Sequence, residues 1–438
     1  MESRGQPPTR LRLETSKFLF CSRADSSTLR LYSGTRITMK IAALFAGIGG
    51  MELGLHKAGH QTMTTCEIWE PAVEVLAHRF PLVTNHLDVA ALESLPVETE
   101  LLTAGFPCQD LSQAGMTAGI DGRRSGLVGH VFRLLDQRRV PIVVLENVSF
   151  MLQLDKGAAM DRLAKAFEQR GYRWGYRTVN SLAFLPQRRE RVFFVASLVD
   201  LDPSTVLFAD EVEASLRKTA LDSHAHGFYW TEGTRGLGWA PDAVPTLKNG
   251  STVGIPSPPA ILMPDGRIIK PDLRDVERLQ GFDADWSVAA PERMRWSLVG
   301  NAVSVPVAAW LGKRLKKPGT YDMDRDRSWP TGPGSFPRAA RYDGKTRYAV
   351  EIGPFPVWKK RLPLHEFLRH EGTLLSVRAT AGFLARAEAS SLRFVPGFLD
   401  AVRAHLAYMR REEVKKVVVR MPKSNSRKPK TPVLVAAE

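Results

Sequence analysis

The sequence predicts an α/β fold built on a doubly wound, parallel sheet. Three observations carry that expectation. Short apolar runs alternate with segments of helical periodicity from Met39 to about Leu198. A glycine-rich turn, "FAGIGG", joins the first run to the first helical segment. Polar residues then fall in order at the ends of successive runs, the edge at which open parallel sheets bind ligands.

The elements follow one another plainly. "KIAALFAG" is the first strand, and a helix opens over Gly50–Ala58. "HQTMTTCE" is the second strand and "PAVEVLAHRF" a helix. A short third strand lies near "VTNHLDV"; "ELLTAGFP" is the fourth and "PIVVLENV" the fifth. "MDRLAKAFEQRGY" has apolar residues at helical spacing and ends at a glycine. "YRTVNSLAF" and "RVFFVASLV" complete the set, so residues 39–198 read as the main domain. Pro, Gly, Ser and Trp break the rhythm over 199–270, which reads as a small, loop-rich lobe. Helical periodicity returns over 271–317, a segment expected to complete the main domain. Residues 318–345 read as a Pro/Gly-rich linker and 346–420 as a mostly helical extension. The basic stretch 421–438 reads as a disordered tail. Residues 1–38, rich in Arg, Ser and Thr, read as a mobile extension or an overlong start.

Composition narrows the function. The 438 residues are 44% apolar and 24% charged, as in a soluble protein with a substantial core. The three cysteines, Cys21, Cys66 and Cys108, have neither a disulfide framework nor metal-site spacing. A reducing, cytoplasmic setting without a metal is expected. The formal net charge of +15 favours a polyanionic partner, nucleic acid first. The alternative is a generally basic, Arg-rich surface. No apolar run reaches the roughly 18 residues a membrane span needs.

The chemistry-bearing residues gather at the strand ends. Gly47, Gly49 and Gly50 follow strand one, and Glu67 ends strand two. Asp88 follows strand three, Cys108 strand four, and Glu146 with Asn147 strand five. The glycines let a cofactor approach the backbone at a helix start, or simply make a tight turn. An acid such as Glu67, about 20 residues on, typically binds a ribose diol, which fits any adenosine cofactor. Asp88 suits an adenine amino group, or the N-cap of "VAALESL". Phe45 and Ile68 either sandwich the adenine or belong to the core. Cys108, in the turn of "TAGFPCQDLSQAG", is placed to be reached rather than buried. In "PQRRERVFFVAS", Gln187, Arg189 and Arg191 share one face of a strand, with Arg188 and Glu190 opposite. A charge cluster running straight into a buried strand reads as a pocket, against the plainer reading of a solvated face.

Taken together, "FAGIGG", "CEIWEPA", "GFPCQDLS", "LENV", "QRRERVF", "RLQGF" and "LVGNAVSVP" resemble the cytosine-5 DNA methyltransferase family, in the family's order. The resemblance covers about Met39 to Leu315, except near 199–270. It implies the fold of S-adenosylmethionine-dependent methyltransferases, with 199–270 as the target recognition domain. It implies Cys108 as nucleophile, Glu146 at the ring nitrogen, and Arg191 with Arg189 behind it at the carbonyl side of the base. The S-adenosyl-L-methionine site falls to Phe45, Gly47, Gly49, Gly50, Glu67, Ile68, Asp88, Pro107 and Asn301. Pro107 also stiffens the loop that carries Cys108. Gln109 and Ser112 face the nucleic-acid backbone. Arg235, Lys248, Asn249 and Arg267 are candidates for reading bases in the major groove, the alternatives being phosphate contacts or plain surface. Trp69 and Glu70 in "EIWEPA" depart from the commoner acid and proline, which bears on cofactor packing.

The implied chemistry explains the residue types. Carbon 5 of cytosine is a poor nucleophile until a thiolate adds to carbon 6, and cysteine supplies an intrinsically nucleophilic sulfur. Glu146 answers the charge building at ring nitrogen 3 if burial keeps it protonated; a neighbouring Arg opposes that, and the sequence leaves the balance open. The target base must leave the duplex. Double-stranded DNA is the expected partner, met by a monomer, in restriction–modification or phage defence, with the C-terminal helices available to dock a partner protein. The rival readings are an RNA cytosine methyltransferase, a noncatalytic DNA-binding component, and a nicotinamide oxidoreductase.

Overall fold

The computed structural model describes residues 38–106, 126–214, 219–248, 258–330, 334 and 336–420. The expectations for Cys108, Pro107, Gln109, Ser112 and Asn249, for the N-terminal stretch through residue 37 and for the tail 421–438 lie outside them.

The first half follows the predicted alternation. Strand β1 (Lys40–Leu44) leads through the glycine turn to helix α1 (Gly50–Lys57). β2 (Gln61–Cys66), α2 (Glu70–Arg79), β3 (Thr84–His86) and β4 (Leu101–Ala104) follow. Helix α3 (Leu127–Gln137) precedes β5 (Ile142–Val148), and α4 (Ala158–Gln169) precedes β6 (Arg173–Asn180). β1 to β5 pair in parallel, in the order β3-β2-β1-β4-β5. Their runs are apolar throughout because helices cover both faces. β1 shows it residue by residue: Ala42 and Leu44 join the core under α3 and α4, whereas Ile41 and Ala43 join the core under α1.

Beyond β5 the parallel expectation fails. β7 (Gln187–Arg188) and β8 (Glu190–Ser197) follow β6, and β8 lies between β5 and β6, antiparallel to both. A parallel partner needs a crossover of a dozen or more residues, usually an α-helix, and the short link 181–189 has no helix beyond a single 3-10 turn, Ser181–Ala183. The result is a mixed sheet.

The lobe and the return segment come next: α5 (Pro203–Leu207), β9 (His226–Phe228), β10 (Ala240–Pro241), β11 (Val244–Pro245), β12 (Ala260–Leu262) and β13 (Ile268–Lys270), then α6 (Leu273–Gln280), α7 (Glu292–Asn301) and α8 (Val305–Lys316). α8 packs against α1 closely enough that a Cβ on Gly54 would lie 2.4 Å from Ala308 Cβ. The stretch expected to be a linker is instead structural. β14 (Asp326–Ser328), β15 (Ala339–Tyr342) and β16 (Arg347–Val350) extend the main sheet beyond β6, to ten strands. Arg341 pairs with Asp326 across them. Buried Arg177 on β6 donates to the carbonyls of Leu207, Asp210 and Gly353, fixing the chain where it leaves β16.

The extension is not a separate helical body either. α9 (Leu364–Phe367) is followed by β17 (Thr373–Leu374), the fifth strand of the lobe's sheet, β10-β9-β12-β13-β17. α10 (Val377–Glu388) and α11 (Phe398–Arg420) then cover that sheet. Phe383, Phe398 and Val402 pack with Phe228, Leu262 and Ile268 in one buried cluster. The lobe is therefore assembled from two stretches of chain that the main domain's last helices separate. Apolar residues of 219–270 with no partner in their own segment find it in 373–406.

Candidate active site

The glycine turn is shaped from three left-handed residues, Phe45 (φ 56°), Gly47 (φ 55°) and Gly49 (φ 81°). The glycines do different jobs. A Cβ on Gly47 would meet nothing within 4 Å, so its backbone faces open space. A Cβ on Gly49 would strike the Phe80 ring at 2.3 Å, and one on Gly50 the Val303 carbonyl at 2.6 Å. Gly49 and Gly50 thus need to lack a side chain for packing, which is a second reason for glycine at those positions beside the expected approach of a cofactor to the backbone. Glu67 closes the turn from β2: the Gly47 amide donates to Oε2 (2.8 Å) and the Trp69 amide to Oε1 (2.9 Å). Its carboxylate is fixed, and each oxygen keeps a free lone pair for a ribose hydroxyl. Ile68 is 69% exposed beside it, and Phe45 is half-buried. Asp88 accepts from the Ala90 amide (2.8 Å) and its carbonyl from Ala91 and Leu92, closing a turn; no helix follows it before β4, so the N-cap alternative finds no helix to cap. Asn301 is exposed at the end of α7, two residues before the Val303 backbone that packs on Gly50. An open glycine, a fixed acid and an exposed apolar side chain fit an adenosine cofactor.

The second group lies at the ends of β5 and β8, where Val148 pairs with Arg191. Arg191 Nε stands 3.3 Å from Glu146 Oε1, with both side chains largely buried. The contact lacks hydrogen-bond geometry, and Oε1 has no hydrogen-bond partner among the described residues. Burial pushes the Glu146 carboxyl above its ordinary value, against the pull of Arg191 and then Arg189. That answers in direction the balance the sequence left open: desolvation outweighs the two arginines, and the carboxyl lies above its ordinary value.

Arg189 takes a different role from the one expected. It is fully buried, and its terminal nitrogens donate to the carbonyls of Leu247 and Gly300 (Nη1) and Ala302 (Nη2). Gln187, on the same face, donates to the Leu279 carbonyl and accepts from the Leu247 amide. Leu247 is thus gripped at both its amide and its carbonyl, so the pair positions the lobe rather than the base. Lys248, next in line, pairs with Glu232 (2.8 Å) and lies over the Tyr229 ring. Arg267 pairs with Asp265 on a hairpin tip, away from this grip in sequence. Arg235 is exposed, with no ion pair among the described residues.

Asn147, marked at the end of strand five without an assigned role, and Glu52, which the sequence did not mark, matter here. Asn147 Nδ2 donates to the Phe106 carbonyl (3.0 Å), holding the backbone that leads into the Cys108 loop. Glu52, on α1 beneath the glycine turn, is 1% exposed and accepts weakly from Thr103 Oγ1 (3.4 Å). Burial pushes its carboxyl up to about 7. The folded state therefore keeps a proton that the unfolded chain releases near 4.5. Stability falls as pH rises through that window, by about 3 kcal/mol. Glu52→Gln should flatten the decline, measured by denaturant unfolding at a series of pH values; an unchanged slope would refute the assignment. Cys66 is buried, and burial, with Glu67 and Asp88 near, pushes its thiol up to about 11, which rules it out as a nucleophile. Among the described residues, no three His, Cys, Asp or Glu side chains gather as metal ligands, and no helix is long and apolar enough to cross a membrane.

The profile of the C-5 cytosine-specific DNA methylase family matches residues 39–222 and 209–317. The chain belongs to this family. It is 45% identical over 366 residues to the type II methyltransferase M2.BsuMI of Bacillus subtilis (strain 168), covering 80% of this chain and 93% of that protein. It is 26% identical over 307 residues to the type II methyltransferase M.DsaV of Dactylococcopsis salina, covering 63% and 86%. The fold is that of an α/β methyltransferase, and the enzyme is a DNA cytosine-5 methyltransferase of restriction–modification type. Its methyl donor is S-adenosylmethionine, whose adenosine the glycine turn, Glu67 and Ile68 suit.

Proposed function

We propose that the chain methylates carbon 5 of a cytosine extruded from a specific duplex sequence, with Cys108 as nucleophile, Glu146 as proton donor and Arg191 at the base carbonyl. One observation supports these roles: a buried Glu146, its carboxyl raised above its ordinary value, stands beside Arg191 at the strand ends, where Asn147 holds the Phe106 carbonyl two residues before Cys108 in sequence. S-adenosylmethionine supplies the methyl group. The Cys108 thiolate bonds to carbon 6, and Glu146 gives its proton to nitrogen 3 as charge arrives there. Carbon 5 takes the methyl group and the demethylated donor departs; a base then removes the carbon 5 proton, the carbon–sulfur bond breaks to free the Cys108 thiolate, and nitrogen 3 returns its proton to the Glu146 carboxylate. Arg189, Gln187 and Leu247 hold the recognition lobe against this centre. Of the base-reading candidates, Arg235 is exposed and has no ion pair among the described residues, whereas Lys248 and Arg267 already meet acids.

The test is methyl transfer from labelled donor to duplex DNA and to tRNA, with bisulfite sequencing of DNA from expressing cells. Methylation of duplex DNA at one recurrent sequence is expected. Transfer to tRNA alone would favour the RNA reading. Cytoplasmic residence, action as a monomer and the presence of a defence partner belong to the same proposal; sedimentation of the protein on its duplex checks the second.

A further inference from the structure

After β16 the chain runs through 353–363 to the lobe, outside the region matched by the family profile. This strap is clamped at both ends. Arg177 holds the Gly353 carbonyl, and Asp242 accepts from Arg361 and from the Leu364 amide. Between the clamps it walls a partly open cavity of about 400 Å³, also lined by Leu182, Arg188 and the β10–β11 turn. The cavity lies at the strand-end edge that carries Glu146 and Arg191, because Leu182 in its lining follows the end of β6.

Its chemistry is two-sided. The floor is apolar: Leu182, Ala240 and Ala243 cluster with Phe355 and Trp358. The rim is cationic. Arg361 is matched by Asp242, but Arg188, Lys359 and Lys360 have no carboxylate partner among the described residues. Arg188 donates one nitrogen to the Trp239 carbonyl and keeps its other donors. Lys359 rests over the Phe184 ring, and burial, with Lys313 near, pulls its pKa below the ordinary lysine value.

We propose that this cavity is a second DNA contact, taking a sugar–phosphate unit of the backbone beside the target site. The deoxyribose face lies on the apolar floor and the phosphate on Arg188, Lys359 and Lys360. The proposal rests on the strand-end edge being the DNA-facing one. It gives the strap a role that reading the target sequence does not require, namely affinity for flanking DNA without sequence preference.

The experiment compares two duplexes, one trimmed to the recognition site and one extended by a helical turn on each side. Lys359→Ala/Lys360→Ala should weaken binding of the extended duplex roughly tenfold and make its salt dependence shallower by about two counterions. The trimmed duplex should lose far less. Lys360→Glu, a change at an exposed position, should act in the same direction and decides the matter if the double variant fails to fold. Equal losses on both duplexes, or none on either, would overturn the proposal. So would protection of the site by inorganic phosphate with duplex affinity unchanged, which marks a small-anion pocket. Failure of the methyl-transfer reading would show separately, as absence of transfer by the parent protein.

Discussion

Cys108→Ser yields a protein that still binds its duplex but transfers no methyl group. A serine hydroxyl is a far weaker nucleophile near neutral pH, and the reaction needs an atom that bonds to carbon 6 and then departs. No other cysteine within the described residues replaces it, since Cys66 is enclosed with its thiol held up at about 11. The measurement is trapping by a duplex carrying 5-fluorocytosine at the target position, with the methyl donor present. Fluorine blocks the loss of a proton from carbon 5, so the sulfur–carbon bond cannot be released. The parent protein should form a complex that survives denaturation, and the variant should form none. A trapped complex with the variant would place the nucleophile elsewhere.

Glu146→Gln should lower the single-turnover rate by a factor of about 10² to 10⁴, the usual worth of a positioned proton donor. The sign of its pH dependence follows from burial. Desolvation holds the Glu146 carboxyl above its ordinary value, so the active, protonated form persists to higher pH than in an exposed glutamate. The rate should therefore fall on the alkaline side as that proton is lost. It should fall on the acid side as the Cys108 thiolate is protonated. Glutamine still donates a hydrogen bond but has no proton to give, so the variant should keep the acid limb and lose the alkaline one. A variant with the parent's rate and both limbs would remove Glu146 from the chemistry. Arg191 offers no substitute, because a guanidinium beside a carboxyl favours the charged acid, the opposite of what the step requires.

What the sequence made legible is the part with local signals. β4 and β5 are apolar along their length because both faces are covered, and a charged residue at the end of such a run stands out, as Glu146 does. The direction of β6 and β8 was not legible, because alternation reads the same for a parallel and an antiparallel neighbour. Only the short 181–189 link bore on it. Arg189 looked like part of a pocket because it shares a face with Arg191. Its engagement by three carbonyls depends on the remote segments 247 and 300–302, which no local pattern announces. Glu52 was hidden for a similar reason. Within α1 it reads as one polar residue of an amphipathic helix, and only the approach of Thr103 from β4 shows that it is enclosed. β14 and β15 were hidden in the expected linker 318–345, and β16 in the expected helical extension, because Pro and Gly dominate the flanks of three short strands that need β6 to form.

On the proposed assignment of the lobe to target recognition, its divided construction has a consequence for how such an enzyme changes its target. Phe228, Leu262 and Ile268 meet Phe383, Phe398 and Val402 across a gap of more than a hundred residues in the chain. A graft of the central stretch from a cousin with another preference would bring a sheet whose greasy side no longer matches the helices waiting for it. New specificity must then arrive as two matched pieces of gene, or by change confined to the loops that leave the shared interface intact.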